Sequence, residues 1–519
     1  MADAARQTAP IPGWYGSFLE EGKQPEDPYP GFRELRETQP VNLTPDGLWR
    51  LSRYEDVRCL LRTAPAGVRR TDGQIPGEAA GMPGGGSFML LQDPPNHTRL
   101  RKLVSKAFTP RAIEAWRPRA EAVTHALLDR VAAKGEMDLV ADLAMPVPAT
   151  LICELMGVAA EDHERFTRWT ATATHRLVTL RGRGGPELKR RVDVASAKIG
   201  GYLTRLIAER RDDPRDDLLS ALVAAEEEGE RLTELELLAQ SVGLLIAGFE
   251  TTIGLIGNGL VTLIRNPDEL ARLRAEPGLV ESAVEECLRY SGPVLATVRV
   301  MHADAEFGGW TVPANAEVLA LLAAANRDPE AFDDPERFDV TRYTRDAQPH
   351  LALGSGAHFC MGAHLARLEA QVAIGALVAR FDELALCHET IEWGLSIFRV
   401  PARVPIRFVE RPSPRRPVRP GPSRKAMAAR FLDAGMRVVL ADVEAAALDA
   451  AARELGAGPG LIAVPTDVTR ADAVDALAER TLDAYGAVHV VCNNAGVFTG
   501  GLCWETPLPD WRWVFGVNV

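Results

Sequence analysis

The sequence predicts a mainly α-helical protein with a small β region, followed by a partial α/β segment towards its C-terminus. Three observations carry this prediction. Residues 1–230 open with short strand-like pieces and continue as amphipathic helices, Ser241–Ile264 form an apolar run with one charge, and beyond residue 410 helix and strand patterns alternate. The chain is therefore expected to contain a large helical unit and a smaller unit of a different class.

The amino-acid composition limits the classes of protein to which this chain can belong. The 519 residues are 46% hydrophobic and 25% charged, which is typical of a soluble globular chain with a large core and more than one folding unit. A net charge of −12 repels phosphate backbones, so nucleic acid is not expected as a partner. The 7 cysteines are scattered without a CxxC pair, and the N-terminal segment has no signal-peptide pattern. We expect a monomer in the reducing cytoplasm.

Local patterns place the elements of the first unit. Leu48–Arg53 predicts a strand, and Ala112–Ala133 and Leu188–Arg211 predict amphipathic helices. Two turn-rich segments, Ala64–Gln92 and Asn326–Asp339, are expected to be loops over the core.

The apolar run Ser241–Ile264 is long enough to span a membrane, but Glu250 lies near its centre and glycines interrupt it. A carboxylate in the middle of a bilayer is costly, whereas a helix through the centre of a large soluble protein is apolar on all sides. We therefore expect a buried core helix and no membrane contact.

The stretch 354–362, GSGAHFCMG, sets three glycines around one cysteine, ahead of a strongly helix-forming sequence. The glycines let the backbone approach a large flat ligand, and a helix N-terminus favours the thiolate of Cys360. Two alternatives are a buried free thiol and a zinc site shared with His350, His358 and His364. The motif by itself favours a metal thiolate.

Two further motifs accompany the cysteine loop. Glu286-Cys287-Leu288-Arg289 is an ExxR pattern on a helix, and Ala247-Gly248-Phe249-Glu250-Thr251-Thr252 lies inside the apolar run. With these three motifs in this order, residues 10–410 resemble a cytochrome P450, the haem-thiolate monooxygenase family. The resemblance implies the P450 fold, haem b as cofactor, and insertion of one oxygen atom of O2 into a hydrophobic small molecule by hydroxylation or epoxidation.

The resemblance also implies roles in haem binding. Cys360 would be the axial thiolate, which promotes O–O cleavage. Glycines would wrap the loop around the sulfur, cationic and donor side chains would meet the haem propionates, and two residues of the long helix would contact the cofactor. These cofactor-binding residues are His97, Arg101, Arg299, His358, Gly354, Gly356, Gly362, Ala247 and Gly248. For His97 and Arg101 the alternative is a solvated helix face.

Two more groups acquire roles by resemblance. Glu250 and Thr251 match the family's acid–alcohol pair, in which a hydroxyl helps deliver protons to dioxygen. A buried structural group that supports the cysteine loop would consist of Glu286, Arg289 and Arg327 or a neighbour of Arg327. One departure from the family pattern is Leu353, where a Phe usually packs by the sulfur.

The substrate pocket implied by the resemblance is mostly apolar, which suits a steroid, terpenoid, fatty acid or polyketide. Its predicted residues are Phe88, Met89, Leu244, Val294, Thr297 and Ile397, with Thr297 and Ser396 as polar handles. Residues 1–410 contain no flavin or iron–sulfur motif, so electrons are expected from an external ferredoxin and ferredoxin reductase. The basic cluster Arg101, Lys102, Lys106 and Arg111 is either the ferredoxin surface or a solvated helix face.

Residues 411–423, RPSPRRPVRPGPS, predict an extended linker between a haem domain, 1–410, and a second domain, 424–519. In the second domain Arg437–Asp442, Leu461–Asp467 and Val488–Gly496 predict strands. NNAG at 493–496, Asp442, Asp467-Val468 and Asn518 make this region similar to a short-chain dehydrogenase/reductase, in which Asp442 would bind an adenosine ribose.

The second domain is nevertheless expected to be an incomplete dehydrogenase without activity. The family's Gly-rich turn, whose helix N-terminus holds a pyrophosphate, is replaced by GPSRK at 421–425, and no Tyr-x-x-x-Lys pair precedes Val519. NAD binding by this fragment is therefore not expected. The alternative functions for the whole chain are a bifunctional monooxygenase–dehydrogenase fusion and a haem-binding protein without turnover.

Overall fold

The computed structural model describes residues 25–489, except 46, 76–85, 181–183, 228, 412–427, 433 and 457, together with Cys492. The described residues form two compact units that divide between residues 410 and 411. The helices of the first unit are α1 Tyr29–Thr38, α2 Tyr54–Arg62, α3 Asn96–Ser105, α4 Pro110–Glu114, α5 Arg117–Ala132, α6 Pro146–Leu155, α7 His163–Ala173, α8 Arg176–Leu180, α9 Gly185–Asp212, α10 Leu218–Ala224, α11 Glu234–Arg265, α12 Pro267–Ala275, α13 Val280–Ser291, α14 Leu322–Ala325 and α15 Ala363–Arg380.

The strands of the first unit are short. They are β1 Val41–Leu43, β2 Trp49–Leu51, β3 Ala66–Gly67, β4 Glu136–Asp138, β5 Glu226–Glu227, β6 Glu230–Arg231, β7 Thr297–Met301, β8 Ala305–Phe307, β9 Trp310–Val312, β10 Glu317–Ala320, β11 Phe381–Leu386, β12 Glu392–Trp393, β13 Pro401–Arg403 and β14 Pro405–Glu410. The larger sheets have the strand orders β1-β2-β10-β7-β3 and β11-β14-β4. In the first of these, β2 and β10 are parallel and the other neighbours are antiparallel. The predicted mainly helical fold with a small β region is confirmed.

The long helix α11 forms the centre of the first unit. It begins with a capping box in which Thr233 and Glu236 bond each other's backbone N–H groups. α11 then packs against α6, α9, α13 and α15. Within the part of the chain that the structure describes, it is the one helix apolar and long enough to cross a membrane, and 72% of its apolar window is buried inside the protein. The prediction of a buried core helix at Ser241–Ile264 is confirmed.

One predicted helix is divided in two. The pattern at Ala112–Ala133 corresponds to α4 and α5, with a break at Ala115 and Trp116. Pro118 lies in the first turn of α5, where its missing N–H removes the bond that would continue the helix from residue 114. The amphipathic pattern was therefore right about the buried face and wrong about continuity.

The second unit contains a parallel pair of strands, β15 Val438–Asp442 and β16 Leu461–Pro465, in register from Val438–Leu461 to Asp442–Pro465. Helix α16, Ala445–Glu454, connects them, and α17, Ala471–Tyr485, follows. Two of the three predicted strands and the partial α/β class are confirmed. The predicted linker and the third strand, 488–496, lie outside the described residues except for 411, 488, 489 and 492, which belong to no strand.

Candidate active site

The loop 353–362 holds Cys360 directly before α15. The backbone N–H of Cys360 donates to the Leu353 carbonyl at 2.9 Å, which closes the loop on itself. Gly354 and Gly356 have φ values of +73° and +70°, in the region that favours glycine. A Cβ on Gly356 would also lie 2.2 Å from the Leu61 carbonyl oxygen, so the loop is seated directly on α2. The glycines therefore have a steric reason at 354 and 356.

The environment of the Cys360 thiol is less favourable to ionisation than the sequence suggested. Burial raises the pKa of the Cys360 thiol, although the Gly362 N–H and the charges of Arg101 and Arg367 act in the opposite direction. In the chain alone burial therefore outweighs the helix terminus, contrary to the expectation of a favoured thiolate. A metal ion would supply the missing positive charge.

Four of the predicted propionate ligands come together around His358. The rings of His97, on α3, and His358 have centroids 4.2 Å apart, and the His97 side chain is only 3% exposed. Burial, together with the charges of Arg299, His97 and Arg101, lowers the pKa of His358 to about 3. The alternative of a solvated helix face is wrong for His97.

This cluster has an unbalanced charge. Arg299 on β7 is buried, and its guanidinium donates to the Val298 carbonyl at 2.8 Å and to Thr297 Oγ1 at 3.3 Å. Burial lowers the pKa of Arg299 to about 10, with some compensation from Asp93. Among the residues that the structure describes, neither Arg299 nor Arg101 forms an ion pair with a carboxylate. Buried cations require a partner, so the cluster fits an anionic ligand such as the two propionates of a haem.

The middle of α11 presents an open face. Ala247 is exposed although it lies in the core helix, and a Cβ on Gly248 would meet nothing within 4 Å. Gly248 and Thr251 are half-buried. An opening lined by such small residues fits the flat face of a porphyrin.

Glu250 and Thr251 follow on the same stretch of α11. The Thr251 hydroxyl donates to the Ala247 carbonyl at 2.6 Å, as expected for a threonine that perturbs a helix. Burial raises the pKa of Glu250 to about 7, against a hydrogen bond with Ser396 that lowers it. A carboxyl group that titrates near neutral pH beside a hydroxyl is suited to proton transfer.

The predicted pocket residues have two kinds of environment. Phe88 is buried, and its ring fills the space beside Gly243, where a Cβ would lie 2.2 Å from it. The adjoining segment is fixed to α11, since Gln240 Oε1 accepts from Met89 N–H at 3.1 Å and its Nε2 donates to the Ser87 carbonyl at 2.6 Å. Leu244 is buried on the same helix, whereas three other predicted residues are half-buried: Val294, Thr297 and Ile397.

The buried structural group differs from the prediction in one member. Glu286 and Arg289 on α13 are fully buried and lie 2.7 Å apart, and Arg289 also donates to the Asn326 carbonyl at 2.9 Å. The second cation on Glu286 is Arg342, 3.1 Å away, and not Arg327. Arg327 instead pairs with Glu336 at 2.8 Å. The naming of Arg327 is corrected, because the turn-rich segment places its side chain elsewhere. The alternative of a neighbour is supported, since the Asn326 carbonyl accepts from Arg289.

Two groups were missed by motif reasoning, the half-buried Glu285 and the buried Glu369. Glu285 bonds both His350 and Arg367. His350, one of the three histidines of the zinc alternative, therefore already has a hydrogen-bond partner. No group of three or more His, Cys, Asp or Glu side chains in the described chain is arranged to hold a metal ion. Glu369 on α15 is buried beside Thr252, and burial raises its pKa to about 8. The only sequence signals for these groups were an acid next to the ExxR motif and polar residues within the helix after Cys360.

The remaining predicted residues are at least partly exposed or lie outside the residues that the structure describes. Arg101 is half-buried, whereas Lys102, Lys106 and Arg111 are exposed. In the second unit Asp442 ends β15, and its Oδ1 accepts from the Glu444 N–H at 3.1 Å. NNAG at 493–496 and Asn518 lie outside the described residues.

Two family models match this chain. The model described as cytochrome P450 matches residues 37–393, and the model described as short chain dehydrogenase matches residues 425–519. The P450 match covers more than half of the chain and contains all three motifs.

Curated proteins and solved structures agree with the first match. Cytochrome P450 107B1 of Saccharopolyspora erythraea is 44% identical over 402 residues, which cover 74% of this chain and 95% of that protein. The vitamin D(3) 25-hydroxylase of Pseudonocardia autotrophica is 40% identical over 391 residues, covering 73% and 94%. The structure of cytochrome P450 CYP109Q5 from Chondromyces apiculatus superposes with a TM-score of 0.66 at 37% identity, covering 76% and 97%.

Proposed function

Because this chain belongs to the cytochrome P450 family and is a P450 monooxygenase, we propose that its first 410 residues oxidise a hydrophobic small molecule with electrons from an external ferredoxin and reductase. Cys360 would hold the iron of haem b, and His97, Arg101, Arg299 and His358 would bind the propionates. Haem, when bound, supplies the centre at which O2 is activated and one oxygen atom is transferred.

The observation that carries this proposal is the buried cation cluster beside the cysteine loop. Arg299 is buried on β7 without a carboxylate partner among the described residues, and the His358 ring packs against that of His97. A buried unpaired guanidinium costs several kcal/mol, on the order of the penalty for a desolvated ion, unless a ligand neutralises it. A dianionic cofactor provides that neutralisation.

Glu250 and Thr251 would carry protons. The Thr251 hydroxyl is held on the Ala247 carbonyl, so its oxygen lone pairs remain available to accept a hydrogen bond on the open face of α11. Glu250, with a pKa raised by burial to about 7, would re-protonate that site from within the protein. Without this supply, reduced oxygen is expected to escape as peroxide.

The substrate class is inferred from the pocket and the relatives. The lining residues are mostly apolar, with the half-buried Thr297 and the buried Ser396 as polar exceptions. Among the relatives, one is named vitamin D(3) 25-hydroxylase and another 6-deoxyerythronolide B hydroxylase. A solved relative is described in complex with testosterone. A steroid or a polyketide macrolactone is therefore the favoured substrate class.

The electron donor would approach the exposed part of the basic cluster. Lys102 on α3, Lys106 directly after it and Arg111 on α4 are exposed. Helix α3 also carries two of the predicted haem ligands, His97 and Arg101. Positive charge there would steer an acidic ferredoxin in the cytoplasm to the haem domain.

The second unit is proposed to lack dehydrogenase activity. GPSRK at 421–425 stands where the matching family has its Gly-rich phosphate-binding turn. NAD is therefore not expected to bind, and the P450 unit would act independently of this region. Tight binding of NAD to the purified full chain would instead support the bifunctional alternative.

The test of function uses purified, haem-loaded full chain. The reduced protein with carbon monoxide should show the red-shifted Soret band of thiolate ligation, and Cys360→Ser should abolish that band. Vitamin D3, testosterone and 6-deoxyerythronolide B should then be screened for spectral shifts and product formation with a ferredoxin system. A protein that binds these compounds and yet gives no oxidised product, with Thr251→Ala changing nothing, would support the haem-binding alternative.

A further inference from the structure

One carboxylate connects the two flanks of the cysteine loop. Glu285 on α13 accepts hydrogen bonds from Arg367 on α15, with Nε to Oε1 at 2.6 Å and Nη2 to Oε2 at 2.7 Å. Nε2 of His350 lies 3.1 Å from Oε2 of the same carboxylate. His350 precedes Cys360 in the chain and Arg367 follows it, so Glu285 fixes the loop at its entry and at its exit.

The hydrogen bonds determine the charges in this group. Nδ1 of His350 accepts from the Ala352 N–H at 3.3 Å, which leaves Nε2 as the donor to Glu285. Burial acts to raise the pKa of Glu285, but the bonds from Arg367 and His350 outweigh it and hold the pKa at about 2. Hydrogen bonding to Glu285 raises the pKa of Arg367. The pair is therefore a bidentate carboxylate–guanidinium contact over the whole physiological range.

Arg367 also acts on Cys360. Arg367 lies in the second turn of α15, seven residues after Cys360, and it is one of two cations, with Arg101, whose charges act on the sulfur. The side chains of Glu285 and Arg367 are only 22% and 25% exposed, so water screens their charges incompletely. The charge that Cys360 experiences from this side therefore depends on whether Glu285 balances Arg367.

We propose that the Glu285–Arg367 ion pair, held in place by His350, is a positioning group that sets the reduction potential of the haem bound through Cys360. This inference rests on the proposed function. A cation near the thiolate stabilises the reduced state, which is the more negative one, and so raises the potential. Glu285 limits that effect because its negative charge opposes the field of Arg367.

The test is a potentiometric titration of haem-loaded full chain in three variants. Glu285→Gln leaves Arg367 unbalanced, so the potential should rise above that of the wild type. Arg367→Met removes the cation and leaves the carboxylate, so the potential should fall. The double variant removes both charges and should return close to the wild-type value. A purely structural role would shift both single variants in the same direction, through general loosening of the loop.

Two control variants separate the charge of the Glu285–Arg367 pair from other effects on the potential. Glu154 forms a similar bidentate pair with Arg119, at 2.6 and 2.7 Å, and neither charge is among those that act on Cys360. Glu154→Gln should therefore leave the potential unchanged. Arg367→Lys keeps the positive charge and should stay close to wild type, which separates loss of the charge in Arg367→Met from loss of the arginine side chain itself.

The outcomes separate this inference from the proposed function. The inference would be overturned if both single variants shift the potential in the same direction, if neither shifts it, or if every charge-changing variant loses haem. Each of these results would count against it even when the wild type shows an intact thiolate–carbon monoxide band. Absence of that band from the haem-loaded wild type would overturn the proposed function itself.

Discussion

Replacing Gly356 by Ala should destabilise the cysteine loop far more than the same change at Gly354. Both glycines have φ near +70°, so an alanine at either site incurs about 1–2 kcal/mol of backbone strain. At Gly356 the new Cβ would also lie 2.2 Å from the Leu61 carbonyl oxygen, whereas at Gly354 the nearest atom is 3.5 Å away. The first distance is a clash with helix backbone and the second is ordinary contact.

The loss of stability in Gly356→Ala depends on which part of the protein must move to relieve the contact. The obstructing atom belongs to α2, so relief requires a shift of the helix or of the loop, and overpacking of this kind costs about 1–3 kcal/mol. Gly356→Ala should therefore lower the free energy of unfolding by about 2–5 kcal/mol, and Gly354→Ala by about 1–2 kcal/mol. The clash is the difference between the two variants.

Urea unfolding of both haem-loaded variants, followed by circular dichroism, measures this difference. The reduced carbon monoxide spectrum of the same samples should show more loss of thiolate ligation for Gly356→Ala, because the loop that seats the sulfur is the part displaced. Equal unfolding free energies for the two variants, within about 0.5 kcal/mol, would refute the assignment of Gly356 as the contact point between loop and α2.

Three further predictions concern the site. Ser396→Ala removes a hydrogen bond that lowers the pKa of Glu250, which burial has raised to about 7, so the pKa should rise further. If protonated Glu250 is the proton source, the product formed per electron should fall at a pH about 1 unit higher than in the wild type. An unchanged pH profile would show that the Ser396 hydrogen bond does not act on the proton source. Gly243→Ala should displace the Phe88 ring and weaken substrate binding in spectral titrations, and adding Phe88→Leu should restore it; a loss of binding that the second change cannot repair would contradict the steric argument. Glu286→Gln should lower the free energy of unfolding by about 3–5 kcal/mol in thermal or urea unfolding, because it leaves the buried Arg289 and the half-buried Arg342 without their carboxylate. A loss below about 1 kcal/mol would show that these ion pairs are not essential to the fold.

In the proposed haem site, the cation cluster would favour an anionic cofactor. Its members come from α3, from β7 and from the cysteine loop, which are distant in the sequence. Each residue alone is unremarkable as a haem ligand, since arginines and histidines usually lie on solvated faces. Arg299 is distinguished by burial without a carboxylate partner in the described part of the chain, and that property exists only in the folded chain.

Local patterns were sufficient to predict the class of the fold and to single out the cysteine loop as the centre of the candidate site. The apolar run of α11 requires burial wherever it is placed, and glycines at 354 and 356 predict an unusual backbone whatever surrounds it. The strands β15 and β16 follow in the same way from short apolar runs between turns. Such signals depend on neighbours in the chain, which is why the sequence contains them.

Tertiary structure decided which charges meet. The turn-rich segment 326–339 and the residues after it offer several arginines, and only packing determines that Arg342 rather than Arg327 reaches Glu286. It likewise decided that burial outweighs the helix terminus at Cys360 and that Glu285 pairs with Arg367. Electrostatic energies depend on distance and burial in three dimensions, and neither quantity is encoded in the spacing of residues along a chain.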